Sequence, residues 1–185
     1  MAKRPIAAKQ TIPTGAKNVS QKAPISVKKV TGSSSSFWKN KALWLPILVV
    51  LVITAVVFIP SLSNAFVNWD DDDNLIKNPF LKAFDWASIK GIFTNHVIGN
   101  YNPLPIFSFA IEKKLFGMYE SGLKPTVFHF NNLLLHLICV FFAYRILLEL
   151  KLSAWAAALG ALLFGIHPMR VESVAWVTEI GRAHV

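Results

Sequence analysis

The sequence predicts an all-α membrane protein, and three observations lead there. Of 185 residues, 54% are hydrophobic and 16% charged, above the roughly 45–50% apolar share of a soluble domain. The apolar residues are bunched in runs, with a mean hydropathy of +0.45. The net charge of +9 is spread unevenly: residues 1–42 hold nine Lys or Arg and no acid, leaving ten basic against ten acidic residues beyond them. A basic tail ahead of an apolar run is what membrane topology asks for, and it argues against a nucleic-acid-binding domain. Cys139 stands alone inside an apolar run, which excludes an intrachain disulfide or a multi-cysteine metal site in this sequence.

Residues 1–41 read as a disordered basic cytoplasmic tail, since Lys, Ala, Pro, Ser and Thr alternate without apolar periodicity and end in Ser33-Ser34-Ser35-Ser36. The tail is too poor in Arg for a transit peptide, and the first apolar run starts too late for a secretory signal. A first span is expected over about 42–62. Its core, Ala42 to Ile59, has no charge over eighteen residues, near the length that crosses a bilayer. Trp38 and Trp44 take interfacial positions, Lys39 and Lys41 precede the run, and Pro46 falls in the first turn, where a missing N–H is harmless. A second span is expected over 127–148 and a third over 152–167, joined by the tight connection Glu149-Leu150-Lys151. Gly160 and Gly165 among several Ala residues would let a neighbouring helix come close.

The charges predict orientation. The basic tail stays in the cytoplasm, the loop 63–126 lies outside, and the residues after the third span return to that outer side. Within the outer loop, Ile106, Phe107, Ala110, Ile111 and Leu115 recur at helical spacing with Glu112, Lys113 and Lys114 opposite. This predicts an amphipathic helix on the membrane surface or against the loop. A second helix is expected from Asp85, a suitable N-cap, with Trp86, Ile89 and Phe93 on one face.

Three constellations could do chemistry. Asp70, Asp71, Asp72 and Asp73 form four consecutive carboxylates just after the first span. Adjacent like charges disfavour one another unless a cation or donor compensates. The run therefore reads either as a general base, with a divalent metal on Asp70, Asp71 and Asp72 if one is bound, or as a solvated acidic turn. In the second span His129, Asn132 and His136 share one helical face. Two turns separate the histidines, too far for one metal without a bend, so the face reads as structural, bonding between helices. At the end of the third span His167, Arg170 and Glu172 bring together a titratable group, a phosphate-pairing cation and a carboxylate.

Four stretches resemble a known group: Trp69-Asp70-Asp71 with Asn78-Pro79; Asn102-Pro103-Leu104 leading to Leu115-Phe116-Gly117; His129 with Asn132 and His136; and His167-Pro168 with Val171-Glu172-Ser173-Val174-Ala175-Trp176. In order and spacing they resemble the amino-terminal part of TPR-repeat-containing GT-C membrane glycosyltransferases, a group that includes the transmembrane and TPR-repeat-containing O-mannosyltransferases, here in bacterial form. The resemblance implies a GT-C-type multi-span bundle, a polyprenyl-phosphate sugar donor, and a protein hydroxyl or glycan as acceptor on the outer face of a bacterial inner membrane. It implies Asp70 and Asp71 as catalytic acids of the first outer loop. Arg170 would hold the phosphate, with His167 and Glu172 orienting or balancing charge.

The family pattern breaks after Glu179. Residues 180–185, Ile-Gly-Arg-Ala-His-Val, match the translation of a common sequencing-library adapter, so this tail is expected to be foreign and the chain a fragment that lacks the TPR repeats. Two other functional classes stay open: a non-enzymatic TPR membrane scaffold, and a lipid-oligosaccharide translocator, for which more charge inside the spans would be expected. Acidic residues on both outer segments favour the enzyme.

Overall fold

The computed structural model describes residues 40–67 and 70–178, and the described residues form helices without a strand. The expectations for the basic tail, Trp38, Trp69 and residues 180–185 lie outside the described residues.

Helix α1 runs Lys41–Ser63. The side chain of Asn40 accepts from the Ala42 amide at 3.1 Å and opens it, and the helix tightens to 3-10 geometry over Ile59–Ser63, around Pro60. The segment that follows contains α2 (Trp86–Thr94), α3 (Pro103–Leu115) and the short α4 (Met118–Ser121). Then come α5 (Pro125–Glu149), α6 (Ala154–Gly165) and α7 (Arg170–Ala175). Asp85 caps α2 as expected, its Oδ1 accepting from the Ser88 amide at 2.7 Å.

α1, with 23 residues, and α5, with 25, are each long and apolar enough to cross a membrane. Their outer faces leave Leu48, Val52 and Val56, and Phe142 and Ile146, exposed. Unpaired apolar surface on that scale needs lipid, and the chain is an all-α membrane protein. The third apolar stretch differs from the span expected over 152–167. Ser153 caps it at one side, accepting from Ala156 at 3.4 Å, and it ends at Gly165 ahead of His167-Pro168, so α6 has 12 residues. At 1.5 Å per residue that is about 18 Å, short of a hydrocarbon core of roughly 30 Å.

α6 instead packs along both long helices, and its glycines make that possible. A Cβ on Gly160 would sit 2.7 Å from Leu147 Cδ1 of α5. One on Gly165 would sit 2.8 Å from Thr54 Oγ1 of α1 and 3.1 Å from Val140 Cγ2 of α5. The core they close holds Ile47, Val50, Val140, Tyr144, Ala157 and Ala161, and the Tyr144 hydroxyl donates to the Leu43 carbonyl at 2.8 Å. The turn from α5 into α6 is a Schellman motif. Lys151 adopts φ 69°, its amide donates to Leu148 O at 2.9 Å, and the Leu152 amide donates to Leu147 O at 3.3 Å.

The amphipathic reading of α3 needs correction. Its buried face is Ile106, Phe109, Ala110 and Lys113, while Leu115 is exposed. Glu112 and Lys113, expected on the outside, are both buried. The stripe at i, i+3, i+4 and i+7 packs on the core made by Leu75, Leu81, Ile92 and Phe128, and it turns the two charges inward with it. Lys113 Nζ donates to the Leu81 carbonyl and lies 4.7 Å from the centre of the Tyr119 ring. Asn131 Nδ2 of α5 donates to Glu112 Oε1 at 2.8 Å. Burial pushes the Glu112 carboxyl up from 4.5 to about 8, a rise that the Asn131 bond partly offsets.

Two outcomes follow from this packing. Gly165→Leu should overpack the contact with Thr54 and Val140 and cost about 1–3 kcal/mol, read as a lowered midpoint of thermal unfolding in detergent. Between pH 4.5 and 8 native Glu112 keeps a proton that the unfolded chain has released. Stability therefore falls as pH rises through that window, by at most about 1.4 kcal/mol per unit. Glu112→Gln should flatten the fall, and unfolding midpoints of the two proteins across that range test it.

Candidate functional site

The acidic run lies where the chain leaves α1. Residues 64–67 are irregular, and a helical turn begins at Asp70 and widens into a π-type turn over Asp72–Ile76. This geometry separates the four carboxylates. Asp71 is buried, at 1% exposure. Its Oδ2 accepts from the Val67 amide at 2.9 Å. Its Oδ1 accepts from Trp176 Nε1 at 3.1 Å, the Thr178 amide at 3.2 Å and Thr178 Oγ1 at 2.7 Å. Three donors thus crowd Oδ1 and one meets Oδ2, so the carboxylate is tied on both oxygens. Asp72 and Asp73 both reach Lys77, at 3.1 and 3.4 Å, and the hydrogen bond and charge of Asp72 hold the Lys77 ammonium above its ordinary value. Asp70 is half-buried.

The run is thus neither a uniformly solvated turn nor a converging ligand set. Among the described residues no three His, Cys, Asp or Glu side chains group so as to hold a metal ion. Asp71 turns to Trp176 and Thr178 while Asp72 turns to Lys77, so the three donors Asp70, Asp71 and Asp72 do not fit a divalent cation.

The polar face of α5 is buried along its length, with His129 at 1%, Asn132 at 3% and His136 at 8% exposure. Asn132 Nδ2 donates to the carbonyls of Trp176 and Val177, at 3.0 and 3.3 Å. His136 Nε2 donates to the Gly165 carbonyl at 2.8 Å, its ring set between Phe58 and Phe164. Asn132 Oδ1 meets no protein partner among the described residues. The stripe therefore receives both the end of α6 and the chain that follows α7.

At that end His167 is exposed, and its Nδ1 accepts from the Met169 amide at 3.2 Å. The Arg170 guanidinium lies 4.8 Å from the centre of the Phe164 ring, with its Nε buried. Together with Leu163, Phe164 and Met169 they line a cavity of about 380 Å³. Glu172 is exposed and does not line it. The structure brings His167 and Arg170 together, and it joins Asp71 to the segment just beyond them. The Trp176 indole and Thr178 are donors to Asp71 that the sequence does not announce. Neither carries a local signal, because both act on a residue more than a hundred positions away.

Fold and site define an all-α membrane protein with acidic, imidazole and guanidinium groups gathered at one end of its helices. No protein-family model matches the chain, and no solved structure does. Protein O-mannosyl-transferase Tmtc2 of Drosophila melanogaster is 30% identical over 138 residues, covering 69% of this chain and 14% of that protein. The human Protein O-mannosyl-transferase TMTC4 is 31% identical over 159 residues, 74% and 20% of the two chains. Human Protein O-mannosyl-transferase TMTC1 is 31% identical over 137 residues, 68% and 14%. The chain belongs to the TPR-containing GT-C family of O-mannosyltransferases. It spans 14% to 20% of the length of these relatives.

The Asp71 contact gives a direct test. Asp71→Asn keeps size but turns an amide N–H₂ toward groups that are themselves donors, leaving at least one buried group without a partner. That should cost about 1–3 kcal/mol, measured by thermal unfolding, whereas Asp73→Asn at an exposed ion pair should cost under about 1 kcal/mol.

Proposed function

We propose that the chain forms the reaction end of a membrane glycosyltransferase that moves a mannose-like sugar from a polyprenyl-phosphate donor to a protein hydroxyl or a glycan. Asp70 takes the proton from the acceptor hydroxyl as its oxygen attacks the anomeric carbon. The bond from that carbon to the phosphate oxygen breaks with inversion, and the polyprenyl phosphate departs toward Arg170 and His167. Glu172 balances charge at the surface. Asp71, held by four donors, positions the loop rather than acting as base. The reaction faces the outer side of a bacterial inner membrane with the amino terminus in the cytoplasm, a reading supported by the nine basic residues ahead of Ala42.

The observation that carries this reading is the Asp71 carboxylate. Its bonds to Trp176 and Thr178 join the loop bearing Asp70 to the segment that follows His167 and Arg170. The cavity beside those two offers a planar cation to a phosphate, and the relatives are named as O-mannosyl-transferases.

The test is transfer of mannose from a polyprenyl-phosphate donor in membranes holding the full-length gene product. Asp70→Asn should lower the rate by about 10²–10⁴-fold, the usual loss for a missing general base, with protein level unchanged. Arg170→Gln should raise the KM for the donor. Near wild-type transfer by Asp70→Asn would remove the base from this loop and end the proposal.

A further inference from the structure

An arginine that is to hold a phosphate gains when its planar fork is fixed beforehand, because the free side chain has many rotamers. Two contacts fix Arg170. Its amide donates to the His167 carbonyl at 2.8 Å, which closes the turn that opens α7. Its guanidinium carbon lies over the Phe164 ring, 4.8 Å from the ring centre. Nε is buried with no protein partner among the described residues. The four N–H groups on the two terminal nitrogens are therefore the ones that can serve the cavity that the side chain lines.

The ring beneath the guanidinium is itself held from other directions. Phe164 belongs to α6 and packs on the core that includes Ile47, Val140 and Tyr144. It stacks on the His136 imidazole of α5, with centroids 6.2 Å and planes 27° apart. His136 is fixed in turn by its bond to the Gly165 carbonyl at 2.8 Å and by the edge of Phe58 of α1, 5.3 Å away between centroids. Three helices thus set the place of Phe164 without help from Arg170. A leucine could fill such a core position. What an aromatic ring adds is a negative face, which attracts a cation most strongly where water is excluded.

We propose that Phe164 is a positioning residue: its ring holds the Arg170 guanidinium over its face, so that a polyprenyl phosphate meets a fork already in place. This rests on the reading of Arg170 as the cation that holds the phosphate. The ring touches no reacting atom and acts through Arg170 alone. Its contribution is preorganisation, and a cation–π contact of this kind is worth about 2- to 30-fold in affinity, rising as the pair loses water.

The experiment measures equilibrium binding to the purified full-length gene product in detergent, with polyprenyl phosphate and the uncharged polyprenol of the same length as probes. The wild type should bind the phosphate more tightly than the alcohol, and Arg170→Gln should remove the difference. Equal binding of both probes by the wild type would end the phosphate reading of Arg170 and this proposal with it. With that difference in hand, Phe164 is tested by itself. Phe164→Leu should weaken phosphate binding about 2- to 30-fold and leave polyprenol binding unchanged, while Phe164→Tyr should keep wild-type affinity. In an Arg170→Gln background Phe164→Leu should change nothing further. Phenylalanine analogues with one, two and three ring fluorines at position 164 keep the size nearly constant and drain the ring face of charge. Phosphate affinity should step down along that series, even if the leucine variant fails to fold. A flat fluorine series, or equal loss of phosphate and alcohol binding in Phe164→Leu, would make the ring mere packing and overturn the proposal.

Discussion

The carboxylate of Asp71 takes one donor from Val67, four residues back, and three from Trp176 and Thr178, 105 and 107 residues onward. Everything at this end of the molecule depends on that joint. A buried carboxylate is tolerated only when its oxygens are met by donors, so the backbone from 64 to 67 and the segment after α7 cannot shift independently of each other. Asn132 of α5 fixes the same segment from the other side through the Trp176 and Val177 carbonyls. The exit from α1, the interior of α5 and the chain beyond α7 are thus bound at one point.

The bundle below the joint obeys a second constraint. Apolar packing gives little drive for association between helices already surrounded by lipid, so close approach and internal polar bonds must supply it. Gly160 and Gly165 bring α6 onto α5 and α1, and the His136 bond to the Gly165 carbonyl meets a group left over at the end of α6. The shortness of α6 fits this arrangement. A helix that ends inside the bundle needs a partner for its last carbonyls, and the polar stripe of α5 provides one.

The long helices were legible in the sequence because an uncharged run of eighteen residues has few other uses. The length of α6 was not, since hydropathy reports neither the Ser153 cap nor the stop at Gly165. In α3 the residues Ile106 and Ala110 belong to both possible apolar stripes, and the choice falls on Phe109 and Lys113. A pattern that scores Lys as polar points the wrong way there, because the aliphatic stem of Lys113 packs while its ammonium finds a carbonyl and a ring. His167 and Arg170 were legible as a pair because they are close in sequence. The contact of Asp71 was not, since its partners are set by the tertiary fold alone.

Crowding of four carboxylates explains why they take different work. Successive residues in a helical turn point about 100° apart, so when Asp71 faces the interior its neighbours on both sides diverge from it. Asp72 and Asp73 are drawn to Lys77, which relieves their repulsion without a second cation. The opposite divergence leaves Asp70 at the margin of the interior, half-buried, on a loop that Asp71 holds still. Of the four positions, Asp71 is held in the fold by four donors, and Asp72 and Asp73 share an ammonium. The run therefore divides its duties: one carboxylate holds the loop to a distant segment, and two share a lysine at the surface.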